Sequence, residues 1–200
     1  MYRVILSAAA ALLVATSVQP ATADDRSACD RGTGDEAIAA CSRLLTRNPR
    51  DAAAYNNRAN RYSDKRDYDR AIADLDQAIR LNPNDARFYN NRGNAYNNKG
   101  DPDRAIADAN KAIRLDPQLA NAYELRGEAF EAKNDPDRAI ADYDQAIQLN
   151  PQFADAYTAR GNAYANKREY DRAIADYDQA LELDLSLVDA HGGASGCRRC

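Results

Sequence analysis

Two cysteines late in the sequence have the spacing of a thiol redox motif. Cys197 and Cys200 enclose two arginines, and positive charge beside a thiol favours the reactive thiolate. The pair follows a glycine-rich stretch, with no strand–helix–strand pattern around it. With His191, the single histidine, the candidate zinc ligands number three, whereas a structural zinc site uses four. A thiol-redox or metal-carrying protein is therefore an alternative function.

The other titratable side chains form no catalytic set. The sequence has no nucleophile elbow, no phosphate-binding glycine loop and no HExxH motif. Its 31 acidic residues outnumber its 27 lysines and arginines, and nearly every arginine has an aspartate nearby. Nucleic-acid binding requires clustered positive charge, so this balance argues against it. We predict a protein that is not an enzyme and takes no cofactor.

Residues 1–23 differ in composition from the rest of the sequence. Arg3 precedes an apolar run over 4–18, and an A-x-A motif ends at Ala23. A charged start, a short apolar run and such a cleavage motif are typical of a secretory signal peptide. The run is shorter than the roughly 20 residues that a membrane-spanning helix needs, although a retained anchor is the alternative. We predict an exported, periplasmic protein that begins at Asp24 and has no membrane attachment after cleavage.

The body of the sequence repeats with a period of 34 residues. Prolines at positions 49, 83, 117 and 151 mark the period, and the sequence between them recurs almost unchanged. Such a period indicates a repeat architecture. The four copies are residues 52–85, 86–119, 120–153 and 154–187.

Each copy contains two helical patterns. In the second half, apolar residues recur at i, i+1, i+4, i+7 and i+8, which places them on one helix face. In the first half, two aromatic residues lie seven apart with a small residue between them, so a second helix can approach closely. Asp101-Pro102 and Asp135-Pro136 supply an N-cap and a first-turn proline for the second helix. Each copy is therefore predicted to be a hairpin of helix A and helix B.

These features resemble the tetratricopeptide repeat (TPR), a helical hairpin of 34 residues. The resemblance covers residues 52–187 and extends by half a repeat to about residue 24, so 24–51 is predicted to be a truncated hairpin. Residues 188–200 follow as the start of a fifth unit, abandoned at Gly192, and a Gly/Cys tail. The resemblance implies an all-α, right-handed superhelical solenoid that holds protein or peptide partners in a concave groove.

Two departures from the family pattern concern the core. The family usually has leucine one residue before the small residue of helix A, where every copy here has arginine. We expect each arginine to lay its stem on the core and to reach an aspartate of helix B; a binding stripe is the alternative. The expected pairs are Arg58–Asp74, Arg92–Asp108, Arg126–Asp142 and Arg160–Asp176. Ala109 replaces the bulky residue found as Leu75 and Tyr143 elsewhere, and we expect a neighbouring ring to fill the gap.

The groove of the family is lined mainly by helix A. Carried over to this sequence, the candidate peptide-binding residues are Asn56, Asn57, Asn60, Asn90, Asn91, Asn94, Asn97, Asn98, Glu124, Glu128 and Asn162. Leu125 is placed on the same surface. Asparagine offers both a donor and an acceptor, which suits a peptide backbone. The acidic half favours a cationic or neutral partner, with a solvated acidic face as the alternative.

One known type of TPR ligand does not fit this groove. TPR proteins that grip a C-terminal carboxylate combine asparagines with lysine and arginine. Asn60 and Asn91 match that pattern, but Asn56, Asn121 and Leu125 stand where the cations are needed. Without positive charge there is no electrostatic basis for holding a carboxylate, so an acidic C-terminal tail is disfavoured as a ligand.

The two ends of the array carry further hypotheses. Cys29 and Cys41 fall in the two helices of the truncated hairpin, where a disulfide in an oxidising compartment would replace lost packing; free thiols are the alternative. In the last copy, no following helix covers Ile174, Tyr177 and Leu181. Self-association into a homo-oligomer through that face is a third functional hypothesis.

Overall fold

The described part of the chain is entirely helical. The structure is a computed structural model that describes the backbone of residues 23–192 and the side chains of 24–184. Its helices are α1 (Ala23–Arg31), α2 (Gly34–Arg47), α3 (Ala52–Asp64), α4 (Tyr68–Leu81), α5 (Ala86–Asn98), α6 (Pro102–Leu115), α7 (Ala120–Ala132), α8 (Pro136–Leu149), α9 (Ala154–Asn166) and α10 (Tyr170–Gly192). The predicted all-α fold class is confirmed.

The helices form five stacked hairpins. Each odd-numbered helix packs against the even-numbered helix that follows it, as helix A and helix B of one unit. Helix B of each unit then packs against helix A of the next, and successive A helices also touch. Every unit therefore contacts only its neighbours, which is the organisation of a solenoid.

Aspartate and proline fix where helix B starts. The Asp101 carboxylate accepts a hydrogen bond from the Arg104 backbone N–H (3.1 Å), and Pro102 occupies the first turn. Asp135 and Pro136 repeat this arrangement before α8. The capping carboxylate satisfies an N–H that has no partner within the helix, and proline has none to lose. These predicted helix starts are confirmed.

The last helix is longer than the sequence pattern predicts. We placed a unit boundary after residue 187 and the start of a fifth unit at 188–191, but α10 continues without a break to Gly192. The other B helices of the repeats stop before Pro83, Pro117 or Pro151, and α10 has Leu185 at the matching position. Without a proline the hydrogen-bond ladder continues.

Candidate functional site

The candidate groove residues lie on consecutive A helices and touch across the units. The Asn91 side-chain amide on α5 donates to Asn56 Oδ1 on α3 (2.8 Å), and the Asn97 amide donates to Glu128 Oε2 on α7 (3.3 Å). These contacts join three successive units, so the residues form one continuous surface. We call it the helix-A wall, made of Asn56, Asn57, Asn60, Asn90, Asn91, Asn94, Asn97, Asn98, Glu124, Glu128, Glu131 and Asn162.

The asparagines of the helix-A wall differ in accessibility. Asn98 and Asn162 are exposed, whereas Asn90 is buried, with only 7% of its surface accessible. The half-buried members are Asn56, Asn57, Asn60, Asn91, Asn94 and Asn97. Half-buried amides keep a polar edge toward solvent while their position is fixed, which suits them to contact a ligand.

Two amide oxygens in the wall lack a partner. Asn90 Oδ1 and Asn97 Oδ1 are buried, yet neither accepts a hydrogen bond within the described part of the chain. A buried acceptor without a donor costs about 1–3 kcal/mol, so native structures rarely leave one unexplained. Both lie on α5, seven residues apart, with Asn94 between them on the same helix face.

Acidic side chains on α7 form the other half of the wall. Burial, reinforced by the charges of Glu128 and Asp155, raises the pKa of Glu124 to about 8. Burial also raises the pKa of Glu128, although its side chain reaches solvent, and the pKa of Glu131. The Tyr143 hydroxyl donates to Glu131 Oε2 (2.8 Å) and partly offsets that rise. Near neutral pH, Glu124 therefore gains its charge most readily when a cation arrives.

Leu125 does not belong to the wall, and its placement there from the sequence was wrong. It is 1% exposed and packs with Tyr96 and Ala109 in the core. Its Cδ2 lies 2.7 Å from where a β-carbon on Gly93 would be, the space that Tyr143 fills against Gly127 in the next unit. The expectation that a ring alone fills the gap beside Ala109 is thus corrected, because a leucine of the following unit enters it.

The four arginines of the A helices are structural. Arg126 binds Asp142 through two parallel hydrogen bonds, Nε to Oδ2 (2.8 Å) and Nη2 to Oδ1 (2.6 Å). The same fork recurs in every copy, and the four aspartates are only 5–6% exposed. In the first copy, the Arg58 guanidinium also lies 5.7 Å from the Tyr55 ring and 6.0 Å from the Tyr62 ring. The predicted ion pairs are confirmed, so these charges are not available as a binding stripe.

Cys29 and Cys41 are joined by a disulfide between α1 and α2. The S–S distance is 2.07 Å, and both residues are almost fully buried. They pack with Leu45 and Ala54, so the cross-link lies in the small core between the truncated hairpin and α3. This pairing holds together a unit whose first helix has only nine residues.

Other sequence hypotheses lie outside the described residues. The signal-peptide segment over 1–22, the side chain of His191, and both Cys197 and Cys200 belong to this group. Within the described side chains, no group of three or more His, Cys, Asp or Glu residues could hold a metal ion. Across the same stretch, no helix has the length and apolarity to cross a bilayer.

The stacked hairpins and the polar helix-A wall define a class of protein-interaction scaffold, and family models agree. Tetratricopeptide-repeat models match residues 56–120 and 154–186, and a TPR-repeat model matches 132–167. The chain belongs to the tetratricopeptide-repeat family. The matched models describe repeats and no catalytic domain.

Solved structures show the same fold. A crystal structure of MamA is 28% identical, covering 78% of this chain and 91% of MamA, with a TM-score of 0.65. TTC0263, a thermophilic TPR protein from Thermus thermophilus, is 24% identical over 80% of this chain and 89% of its own, with a TM-score of 0.68. YrrB, a TPR protein with an unusual peptide-binding site, is 21% identical over 80% and 83%, with a TM-score of 0.58. No relative is found among curated protein sequences.

Proposed function

We propose that the chain is a non-enzymatic scaffold that holds an extended peptide segment along the helix-A wall. The observation that carries this proposal is the pair of unsatisfied acceptors, Asn90 Oδ1 and Asn97 Oδ1. The backbone N–H groups of a bound peptide would satisfy them. YrrB, a similar fold with a peptide-binding site, supports the same conclusion.

The spacing of the amides matches an extended main chain. Along a helix, residues four apart are separated by about 6 Å. In a strand, N–H groups that point to the same side recur every two residues, about 6.6 Å apart. Asn90 and Asn94 therefore lie at nearly the repeat of an extended peptide. A partner helix, the alternative ligand, has its backbone donors engaged internally and could not satisfy these oxygens.

The acidic half of the wall adds a preference for a cation. Glu124, Glu128 and Asp155 interact closely enough to disfavour one another's charges. A lysine or arginine of the peptide would offset that repulsion and stabilise the charged form of Glu124. We propose that the segment places a basic residue against α7 and neutral residues against α5.

Panning of a phage-displayed 12-residue peptide library against the immobilised chain tests this proposal. Enriched peptides should contain lysine or arginine, and an enriched peptide should lose about tenfold or more in affinity for a variant with Asn91→Ala, Asn94→Ala and Asn97→Ala. The matched control replaces three exposed amides of or beside the B helices, Gln118, Gln145 and Gln148, with alanine. Equal affinity for both variants, with unchanged helical circular dichroism, would refute the assignment.

We further propose that the protein is exported to the periplasm. The N-terminal segment supports this location, and so does the Cys29–Cys41 disulfide, because such bonds persist in oxidising compartments. Expression of residues 1–200 in a Gram-negative host should yield a periplasmic product that begins at Asp24 and has one oxidised pair over 29–41. A cytoplasmic product with Met1 retained would contradict the proposal.

A further inference from the structure

The last described helix leaves an apolar stripe uncovered. Tyr170, Ile174 and Leu181 on α10 are 59%, 56% and 59% exposed, and Tyr177 is 37% exposed. Their spacing of four, three and four residues places them on one helix face. In the third unit, the residue that matches Tyr177 is Tyr143, which is 0% exposed because α9 covers it. The stripe therefore has the form of a surface that normally receives an A helix.

An arginine lock accompanies the apolar contact at every junction between units. The arginine of each A helix donates through Nη1 to one polar residue of the preceding B helix. The four contacts are Arg58 to Ser42 (2.9 Å), Arg92 to Asp76 (2.6 Å), Arg126 to Asn110 (2.6 Å) and Arg160 to Asp144 (2.5 Å). Because donor and acceptor are both spaced by 34 residues, the lock is part of the stacking surface.

A lysine lock accompanies it at the edge of each junction. A lysine just after helix A pairs with an aspartate in the first turn of the preceding B helix. The pairs are Lys65–Asp35, Lys99–Asp69, Lys133–Asp103 and Lys167–Asp137. The arginine and the lysine are seven residues apart, so they lie on the same side of the incoming helix.

Helix α10 presents both acceptors without their donors. By the period of 34, Asp178 matches Asp144 and Asp171 matches Asp137. Both are exposed, and neither has an ion-pair or hydrogen-bond partner among the described residues. The α10 face thus combines the apolar stripe with two acidic acceptors, in the arrangement that binds an A helix at the four other junctions.

A second copy of this chain does not fit the α10 face. Its α1 would bring Asp24 to the position where the other A helices have arginine, and so toward Asp178. Two α10 faces placed against each other would oppose Asp171 and Asp178 to acidic residues, since Arg172, the cation of this stretch, is engaged by Glu169. Like charges across an interface disfavour both arrangements. The self-association hypothesis therefore loses its electrostatic basis.

We propose that the α10 face binds an amphipathic helix of a partner protein. The docking side of that helix carries arginine and, seven residues later, lysine, with a small residue three positions after the arginine and an apolar residue four positions before it. This pattern is Phe88, Arg92, Ala95 and Lys99 in α5. The surface is separate from the helix-A wall, so the proposal does not depend on peptide binding there.

A labelled helical peptide provides the probe. It has the sequence of residues 86–99, with a lactam bridge between Asn94→Glu and Asn98→Lys on the side away from α10, and fluorescence anisotropy measures its binding to the full chain. Asp171→Lys with Asp178→Lys should weaken binding about fivefold or more. The matched control, Asp24→Lys with Glu36→Lys, makes the same charge change at the opposite end and should leave binding unchanged.

A charge swap decides between this site and general attraction to an acidic chain. A peptide with Arg92→Glu and Lys99→Glu should bind poorly to the native chain and recover on the Asp171→Lys, Asp178→Lys variant. Equal binding of both peptides to both proteins would overturn the proposal. It would also be overturned by a dimer that Ile174→Asp dissolves, or by peptide binding that requires removal of residues 193–200, since each gives the face another occupant.

Discussion

Each unit buries a guanidinium where a leucine would ordinarily pack. The arrangement works because the arginine stem lies between aromatic rings while the head is held by an aspartate fork. Arg and Asp lie 16 residues apart in every copy, so the pairing could be predicted from the sequence. Leu125 could not be placed, because its environment depends on the small Ala109 in the preceding unit.

Removal of the arginine should destabilise the chain strongly. Arg126→Ala leaves the carboxylate of Asp142, which is 5% exposed, without its partner, and should lower the free energy of unfolding by about 2–4 kcal/mol. Lys133→Ala breaks only a solvent-exposed pair with Asp103 and should change it little. Urea denaturation of both variants measures the difference. Similar losses would show that the fork carries no more than a surface contact.

Glu124 should make stability depend on pH. Its pKa is about 8 in the folded chain and 4.5 ordinarily, so between these values the folded state binds more protons than the unfolded state. Stability attributable to Glu124 is therefore highest below about pH 4.5 and falls as pH rises toward 8. The urea midpoint of the native chain should drop relative to Glu124→Gln across that range. A constant difference between the two proteins would contradict the shifted pKa.

Within a hairpin, a ring and a missing side chain exchange volume. A β-carbon on Gly127 would lie 2.6 Å from Tyr143 Cε1, whereas the first unit pairs Ala59 with Leu75. The periodic pattern predicted these helices and the starts of α6 and α8 because caps and prolines are local signals. The length of α10 was missed, since the absence of one proline removes the stop signal.

This exchange should appear as coupling between two substitutions. Gly127→Ala alone should cost about 1–3 kcal/mol, because the ring must move. Combined with Tyr143→Leu, which recreates the pair of the first unit, the alanine should cost much less. A double-mutant cycle in urea measures the coupling. Additive losses would mean that ring and glycine do not compete for the same space.

At the scale of the whole molecule, the repeat determines the architecture but not the partner. Stacking follows from a period that is visible in the sequence, and the carboxylate clamp could be excluded from the missing cations. The unsatisfied oxygens of Asn90 and Asn97 could not be predicted, since an asparagine looks the same whether or not a neighbour satisfies it. The acceptors Asp171 and Asp178 did carry a signal, the period of 34 shared by lysine and aspartate.

Hydrogen exchange with a bound peptide tests the scaffold most directly. The chain is saturated with the most enriched library peptide, and amide exchange is compared with that of the free chain by mass spectrometry. Slower exchange in α3, α5 and α7, together with weaker binding below about pH 5 as Glu124 and its neighbours become protonated, is the result expected for a ligand on the helix-A wall. Protection confined to the B helices or to α10, with the A helices unchanged, would contradict it.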